Sequence, residues 1–132
     1  MCGIAGWSLR PGASVAPEML EAMAAAIRHR GPDGQGRFRD HATTADGSRV
    51  HVALVHRRLS IIDHAGGGQP MVVRGDRGDR VAVAFNGCIY NHRPLRAELQ
   101  ALGHAFATDH SDTEALAVGV LAWGERVAER LD

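Results

Sequence analysis

Small apolar residues run from Cys2 to Leu9 and stop at Arg10, Pro11 and Gly12, a pattern that predicts a short buried strand closed by a turn. Cys2 then stands at the head of that strand. Behind Pro17, which suits the first turn of a helix, Leu20, Met23, Ala24 and Ile27 recur at spacings of three and four. Residues 17–28 therefore read as an amphipathic helix, ending in the loop RHRGPDG. Residues 49–55 alternate, with Val50, Val52 and Leu54 on one face and His51, Ala53 and Val55 on the other; residues 80–85 repeat the alternation with Val81, Val83 and Phe85. Both read as strands with one strongly apolar face.

Between them lies HRRLSIIDHAGGGQPM, whose three consecutive glycines and Pro70 predict irregular backbone, followed by RGDRGD as an exposed turn. Asn91 is placed to cap a helix carrying Leu95, Leu99 and Leu102 on one stripe, with Gly103 where a left-handed C-terminal cap belongs. Ser111 and Glu114 have capping-box spacing, in which each side chain satisfies the other's exposed amide, and this sets Asp112 in the first turn of the last helix. The order strand, helix, strands, helix, helix predicts a mixed α and β domain with helices packed on sheet faces.

Composition narrows the function classes. The 132 residues fit one domain, and a chain of this size buries roughly two thirds of its unfolded surface. Fifteen basic against fifteen acidic residues give a net charge of +0, so no electrostatic argument favours nucleic acid or an anionic membrane as partner. The apolar runs fall far short of the roughly 20 residues a bilayer span needs, and the N-terminus lacks the pattern of a signal peptide; a cytoplasmic protein is expected. Cys2 and Cys88 are too few for a disulfide scaffold or a cysteine-built zinc site. The eight histidines form no HExxH or comparable spacing, so no metal site is expected.

Cys2 carries the most specific chemistry. Once the initiator methionine is removed, it holds a thiol and a free α-amine together. The amine titrates at about 7.7 to 8.0, close enough to neutrality to take the thiol's proton and return it later. Three further segments with chemistry to offer fall at loops or element ends: HRRLSIID, FNGCIYN and HSDTE. Singly, each has an ordinary explanation, as a surface arginine at Arg58, an Asn-Gly turn at Asn86 and Gly87, or a helix-terminus acid at Asp112.

Together, MCGIAGW, RHRGPDG, HRRLSIID, GGGQPM, FNGCIYN and HSDTE resemble, in order and over nearly the whole chain, the class II glutamine amidotransferase domain of the asparagine synthetase type. The resemblance implies an α+β fold, a four-layer αββα N-terminal-nucleophile hydrolase sandwich of two antiparallel sheets. It implies that Cys2 attacks the side-chain amide of L-glutamine, releasing ammonia and leaving a thioester that water hydrolyses to glutamate. The oxyanion would be held by the Asn86 side chain and the Gly87 N–H. Arg58 would grip the substrate's α-carboxylate with its planar fork, and Asp112 would oppose its ammonium. Leu59, Ile61, Ile62 and Cys88 would line the same pocket, the first three through backbone groups. No cofactor is expected for the glutaminase domain, whereas ATP and Mg²⁺ belong to a synthetase domain that receives the ammonia.

Two departures qualify the match. Cys88 replaces the glutamate of the family pattern NGEIYN, a change similar to the branch that amidates N-acetylglutaminylglutamine. The strand that follows Leu131 and Asp132 in asparagine synthetases, and the synthetase domain after it, are not in these residues. Residues 1–132 thus read as the N-terminal part of a glutamine amidotransferase type 2 domain serving an ATP-dependent synthetase domain or subunit, with a homodimer left open. A non-catalytic glutamine-binding module is the competing expectation.

Overall fold

The computed structural model describes residues 1–44, 46–59, 68–76 and 78–132. The chain divides into two compact units, Met1–Ile62 and Asp63–Asp132.

The first unit is a three-stranded antiparallel sheet with a helix on one face. The strands are β1 (Gly3–Leu9), β2 (Gly34–Thr43) and β3 (Arg49–Arg58), in the order β1-β3-β2. The helix α1 runs over Met19–Ala26, and a 3-10 turn, Arg28–Arg30, follows it. Leu20 and Ala24 of α1 are buried against Ala53 and Val55 of β3, with Ala5, Trp7 and Ile27 around them. The predicted helix over 17–28 is therefore shorter at both ends. Pro17 precedes the helix, and Glu18 at the N-cap makes no side-chain capping bond.

The structure adds to and alters the sequence reading of this unit. The strand from Cys2 is not buried throughout: its positions alternate from buried Gly3 to exposed Ile4 and onwards. In β3, α1 covers the Ala53 and Val55 face, a choice that the alternation left open. The strand β2 was not expected at all. Its half-buried positions are Gly34, Gly36, Phe38 and Asp40, only one of them a large apolar residue, so the alternation carries almost no hydrophobic signal. Pairing along all ten residues with β3 supplies what its own side chains do not.

The second unit joins a two-stranded antiparallel sheet, β4 (Met71–Arg74) and β5 (Arg80–Val83), to two helices, α2 (His92–Ala101) and α3 (Asp112–Trp123). A seven-residue 3-10 segment, Gly124–Arg130, closes the chain. Leu95, Leu99 and Val118 form the core, with Val73, Phe106, Ala122, Trp123 and Leu131 packed against it. The RGDRGD turn is as expected among its described residues, with Gly75 N–H donating to the Asp79 carbonyl at 2.8 Å. The strand β4, with Met71, Val72 and Val73 apolar in succession, shows no alternation to reveal it.

The helix ends follow the sequence in part. Gly103 has φ 93°, as a left-handed cap requires, but Leu102 is exposed, outside the buried stripe of α2. Asn91 is the N-cap residue of α2 without a side-chain capping bond. Its amide spans to the chain's last residues instead, donating to the Arg130 carbonyl at 2.7 Å and accepting from Asp132 N–H at 3.2 Å. Ser111 does cap α3, its hydroxyl accepting from Glu114 N–H at 3.1 Å. The return half of the capping box is replaced, because the Glu114 carboxylate accepts from the N–H groups of Ala107 and Thr108, at 2.5 and 2.9 Å, and from the Thr108 hydroxyl at 2.5 Å.

Glu114 is only 4% exposed, and the Arg96 guanidinium lies 3.7 Å from its carboxylate. Burial pushes its pKa up, but the Thr108 hydroxyl, the N–H groups of Ala107 and Thr108 and the Arg96 charge outweigh that and hold it below the ordinary glutamate value. A native pKa below the unfolded one means the stabilisation is complete above the ordinary glutamate range and is lost as pH falls through the depressed value. Glu114→Gln is therefore expected to lower the urea midpoint at pH 7, with the gap to the wild type closing as the pH falls below about 4. A gap that is constant with pH would exclude the ionised carboxylate as its source. Glu114→Ala, which strands a buried Arg96, should cost about 3 to 5 kcal/mol.

Candidate functional site

In the first unit the sheet register places the Cys2 thiol. Gly3 pairs with Arg57 across the β1 and β3 ladder, and Gly34 pairs with Arg58 across β2 and β3. Cys2, one residue before Gly3, therefore stands level with Arg58 at the end of the sheet. There the Leu59 N–H donates to Cys2 Sγ at 3.5 Å, and the thiol lies 3.9 Å from the Leu59 carbonyl. Strand pairing thus brings Cys2 and Arg58 to the same end of the sheet, where the Leu59 backbone meets the Cys2 sulfur.

The RHRGPDG loop braces this end. Asp33 N–H donates to the Arg58 carbonyl at 3.0 Å. A Cβ added at Gly31 would run into the backbone of Arg57 and Arg58, so only glycine allows the loop to lie this close to β3. Two partners on one carbonyl-bearing segment, a loop amide and a packed glycine, restrict how Arg58 leaves the sheet.

In the second unit, residues 85–89 carry Asn86, Gly87 and Cys88, all three exposed. Asp112, in the first turn of α3, reaches this segment: its Oδ2 accepts from Ile89 N–H at 3.2 Å. The other oxygen, Oδ1, accepts from Thr113 N–H at 2.6 Å and from the Thr113 hydroxyl at 3.2 Å. At the opposite end of the segment, Gln69 Oε1 accepts from Phe85 N–H at 2.6 Å. The Gly87 Cα faces the Phe85 ring so closely that an added Cβ would lie 2.6 Å from its Cζ.

A model of the glutamine amidotransferase domain family matches residues 1–132. This chain belongs to that family. The domain is 40% identical over 134 residues to asparagine synthetase [glutamine-hydrolyzing] 1 of Bacillus subtilis, which covers 99% of this chain and 19% of that protein. It is 34% identical over 133 residues to asparagine synthetase [glutamine-hydrolyzing] 3 of the same organism, covering 100% and 20%. With the Zea mays asparagine synthetase [glutamine-hydrolyzing] it shares 37% identity over 106 residues, 80% of this chain and 16% of that protein. The amidotransferase domain is of the asparagine synthetase type and spans a fifth or less of the length of these relatives.

Within the amidotransferase domain, the residues expected at the site fall into two local groups. Cys2, Arg58 and Leu59 come together in the first unit, and Asn86, Gly87, Cys88 and Asp112 in the second. Ile61 and Ile62 lie outside the described residues. Sequence reasoning assigned no role to Gln69 or Thr113, although GGGQPM and HSDTE were both among the motifs that carried the resemblance. Their signal was present as motif membership, without a chemistry to attach to it.

Two cavities among the described residues lie away from these groups. One of about 380 Å³ sits beside Trp7, Arg39, His41 and His51, and one of about 630 Å³ runs along β4 and residues 103–108; neither is lined by Cys2, Arg58, Asn86, Gly87 or Asp112. Both cysteines are free, Cys2 half-buried and Cys88 exposed. His41 and His51 face each other across β2 and β3 with their Nε2 atoms 3.0 Å apart, while His56 is buried. Among the described residues, no group of three or more His, Cys, Asp or Glu could hold a metal ion, and no helix is long and apolar enough to cross a membrane.

Proposed function

We propose that this chain hydrolyses L-glutamine to glutamate and ammonia through a thioester on Cys2. The observation that carries the proposal is the position of Cys2: level with Arg58, with the Leu59 N–H on its sulfur, in a chain of the glutamine amidotransferase family. With Met1 removed, the Cys2 α-amine takes the thiol's proton as Sγ attacks the amide carbon, then delivers it to the departing ammonia. Water, activated by the same amine, cleaves the thioester. The Asn86 side-chain amide and the Gly87 N–H stabilise the negative oxygen in both steps.

Arg58 holds the substrate's α-carboxylate and Asp112 its α-ammonium. The carboxylate of Asp112 has room for this, since each ionised oxygen accepts more than one hydrogen bond and its present partners are backbone and hydroxyl donors. Leu59, Ile61, Ile62 and Cys88 complete the pocket in this reading. No step calls on a cofactor of this chain; ATP and Mg²⁺ serve the synthetase that uses the ammonia. The overall fold is a four-layer αββα sandwich, a reading supported by the family, the two antiparallel sheets and the helices. A cytoplasmic setting fits the two free thiols.

The names of the relatives point to aspartate as the final ammonia acceptor, giving asparagine. Cys88 in place of the family glutamate favours a second acceptor, N-acetylglutaminylglutamine. Glutamate and ammonia released in equal amounts from glutamine, by protein whose intact mass shows Cys2 at its N-terminus, tests the central claim. A folded chain that begins at Cys2 and releases neither would leave a glutamine-binding module as the better account.

The substrate handles separate in kinetics. Arg58→Ala removes a desolvated charge partner, a loss of roughly 2 to 5 kcal/mol, so KM for glutamine should rise by about 30-fold or more with kcat changed far less. Asp112→Asn, whose single carbonyl oxygen can serve either Ile89 N–H or the Thr113 donors but not both, should also raise KM and should lower kcat in part. Asp112→Ala also releases residues 85–89 and should lower kcat as well as raise KM. Steady-state kinetics on the three variants check this; an unchanged KM in Arg58→Ala excludes it as the carboxylate anchor.

A further inference from the structure

Residues 85–89 are held at both ends, and the two holds are joined. Gln69 Oε1 takes Phe85 N–H at 2.6 Å, and Asp112 Oδ2 takes Ile89 N–H at 3.2 Å. The Gln69 amide nitrogen donates to the Thr113 hydroxyl at 3.4 Å, and that hydroxyl donates to Asp112 Oδ1 at 3.2 Å. The chain Phe85, Gln69, Thr113, Asp112, Ile89 is therefore a loop of hydrogen bonds closed by the segment it encircles. Thr113 is 6% exposed, so its hydroxyl bonds are shielded from competing water.

We propose that Gln69 and Thr113 are positioning residues that lock the backbone of residues 85–89, and with it the Asn86 and Gly87 donors, onto the N-terminus of α3. The inference rests on the reading of Asn86 and Gly87 as the oxyanion donors. Asn86, Gly87 and Cys88 are exposed, and the Phe85 ring lies against Gly87. A donor useful in a transition state must be aimed before the charge develops. The two end amides, fixed to side chains that are fixed to each other, set the ends of the segment between them. The hydroxyl of Thr113 is the joint: it must accept from one neighbour and donate to the other, which serine can also do and valine cannot.

The lock has kinetic consequences distinct from a loss of stability. A misplacement of about 1 Å at a reacting group costs on the order of 10²-fold in rate. Thr113→Val, nearly isosteric and without the hydroxyl, should lower kcat about 10-fold or more with KM for glutamine within about 3-fold, and Thr113→Ser should restore most of it. Gln69→Leu should lower kcat similarly, while Gln69→Glu, which keeps an acceptor for Phe85 N–H, should recover part of the loss.

The deciding experiment measures kcat and KM for these four variants and the wild type, with amide hydrogen exchange at Phe85 and Ile89 followed in the same proteins. The inference holds if Thr113→Val lowers kcat and speeds exchange at both amides, with recovery in Thr113→Ser. It is overturned if Thr113→Val and Gln69→Leu keep kcat within 2-fold, or if each speeds only the amide nearest to it. Should the wild type show no turnover, the glutaminase reading fails. Exchange then decides the lock alone: joint acceleration at Phe85 and Ile89 upholds it and unchanged exchange overturns it. If Gln69→Leu does not fold, the Thr113 pair, which removes no buried volume in valine, carries the test.

Discussion

Cys2→Ala is expected to lower glutamate release by about 10⁴-fold or more, to the limit of detection, while leaving the protein folded. The thiol is the proposed nucleophile, and nothing else at the head of β1 can form the acyl intermediate. The structural loss is small by comparison. The Leu59 N–H to sulfur contact is 3.5 Å long, and a neutral hydrogen bond of ordinary strength contributes only about 0.5 to 1.5 kcal/mol. Activity and unfolding midpoint should thus separate. Cys88→Ala provides the contrast: Cys88 is the chain's other thiol, exposed in the 85–89 segment, and its removal should leave most of the turnover. Cys2→Ser should bind glutamine but turn it over far more slowly, since a hydroxyl is the weaker nucleophile at neutral pH. Wild-type turnover in Cys2→Ala, or its loss only in Cys88→Ala, would overturn the assignment of the nucleophile.

The sequence suggested roles for the candidate site residues more directly than it suggested the fold, for a physical reason. Cys2, Arg58, Asn86, Gly87 and Asp112 carry their chemistry in their residue types, so a thiol, a fork, an amide, a bare backbone and a carboxylate in the right motifs already suggest roles. Gln69 and Thr113 act through hydrogen bonds to groups 16 and 44 residues apart, and no local pattern records such a bond. Those bonds became legible only when folding brought the partners together.

In the first unit, periodicity found the elements whose own side chains make a core and missed the strand made by its neighbour. The α1 stripe of Leu20 and Ala24 and the alternation in β3 were readable because these residues are buried. Alternation names two faces without saying which one a helix covers, and in β3 the helix covers Ala53 and Val55. The strand β2 depends on its ladder with β3, which is non-local. The capping box divided along the same line. Ser111 bonds within its own turn, whereas Glu114 is drawn to Ala107 and Thr108 by three donors that outweigh one returning bond.

Gly87→Ala and Asn86→Ala should each lower kcat by about 10² to 10³-fold with KM for glutamine little changed, because each removes or displaces a donor that matters only when the oxyanion forms. The two act by different routes, and this gives the sharper test. Asn86→Ala deletes its side-chain amide and leaves the backbone undisturbed. Gly87→Ala keeps its N–H but adds a Cβ that would lie 2.6 Å from Phe85 Cζ and 3.0 Å from Cε2. The Phe85 backbone is pinned by its N–H to Gln69, so either the ring swings aside or residue 87 moves and its N–H turns away. Making room should then undo the damage: Phe85→Ala combined with Gly87→Ala is expected to recover part of the kcat that Gly87→Ala alone loses. The same Phe85 change cannot rescue Asn86→Ala, whose donor is gone. Rescue confined to the Gly87 variant supports a backbone donor aimed by close packing. Full activity in Gly87→Ala, or equal rescue of both variants, excludes it.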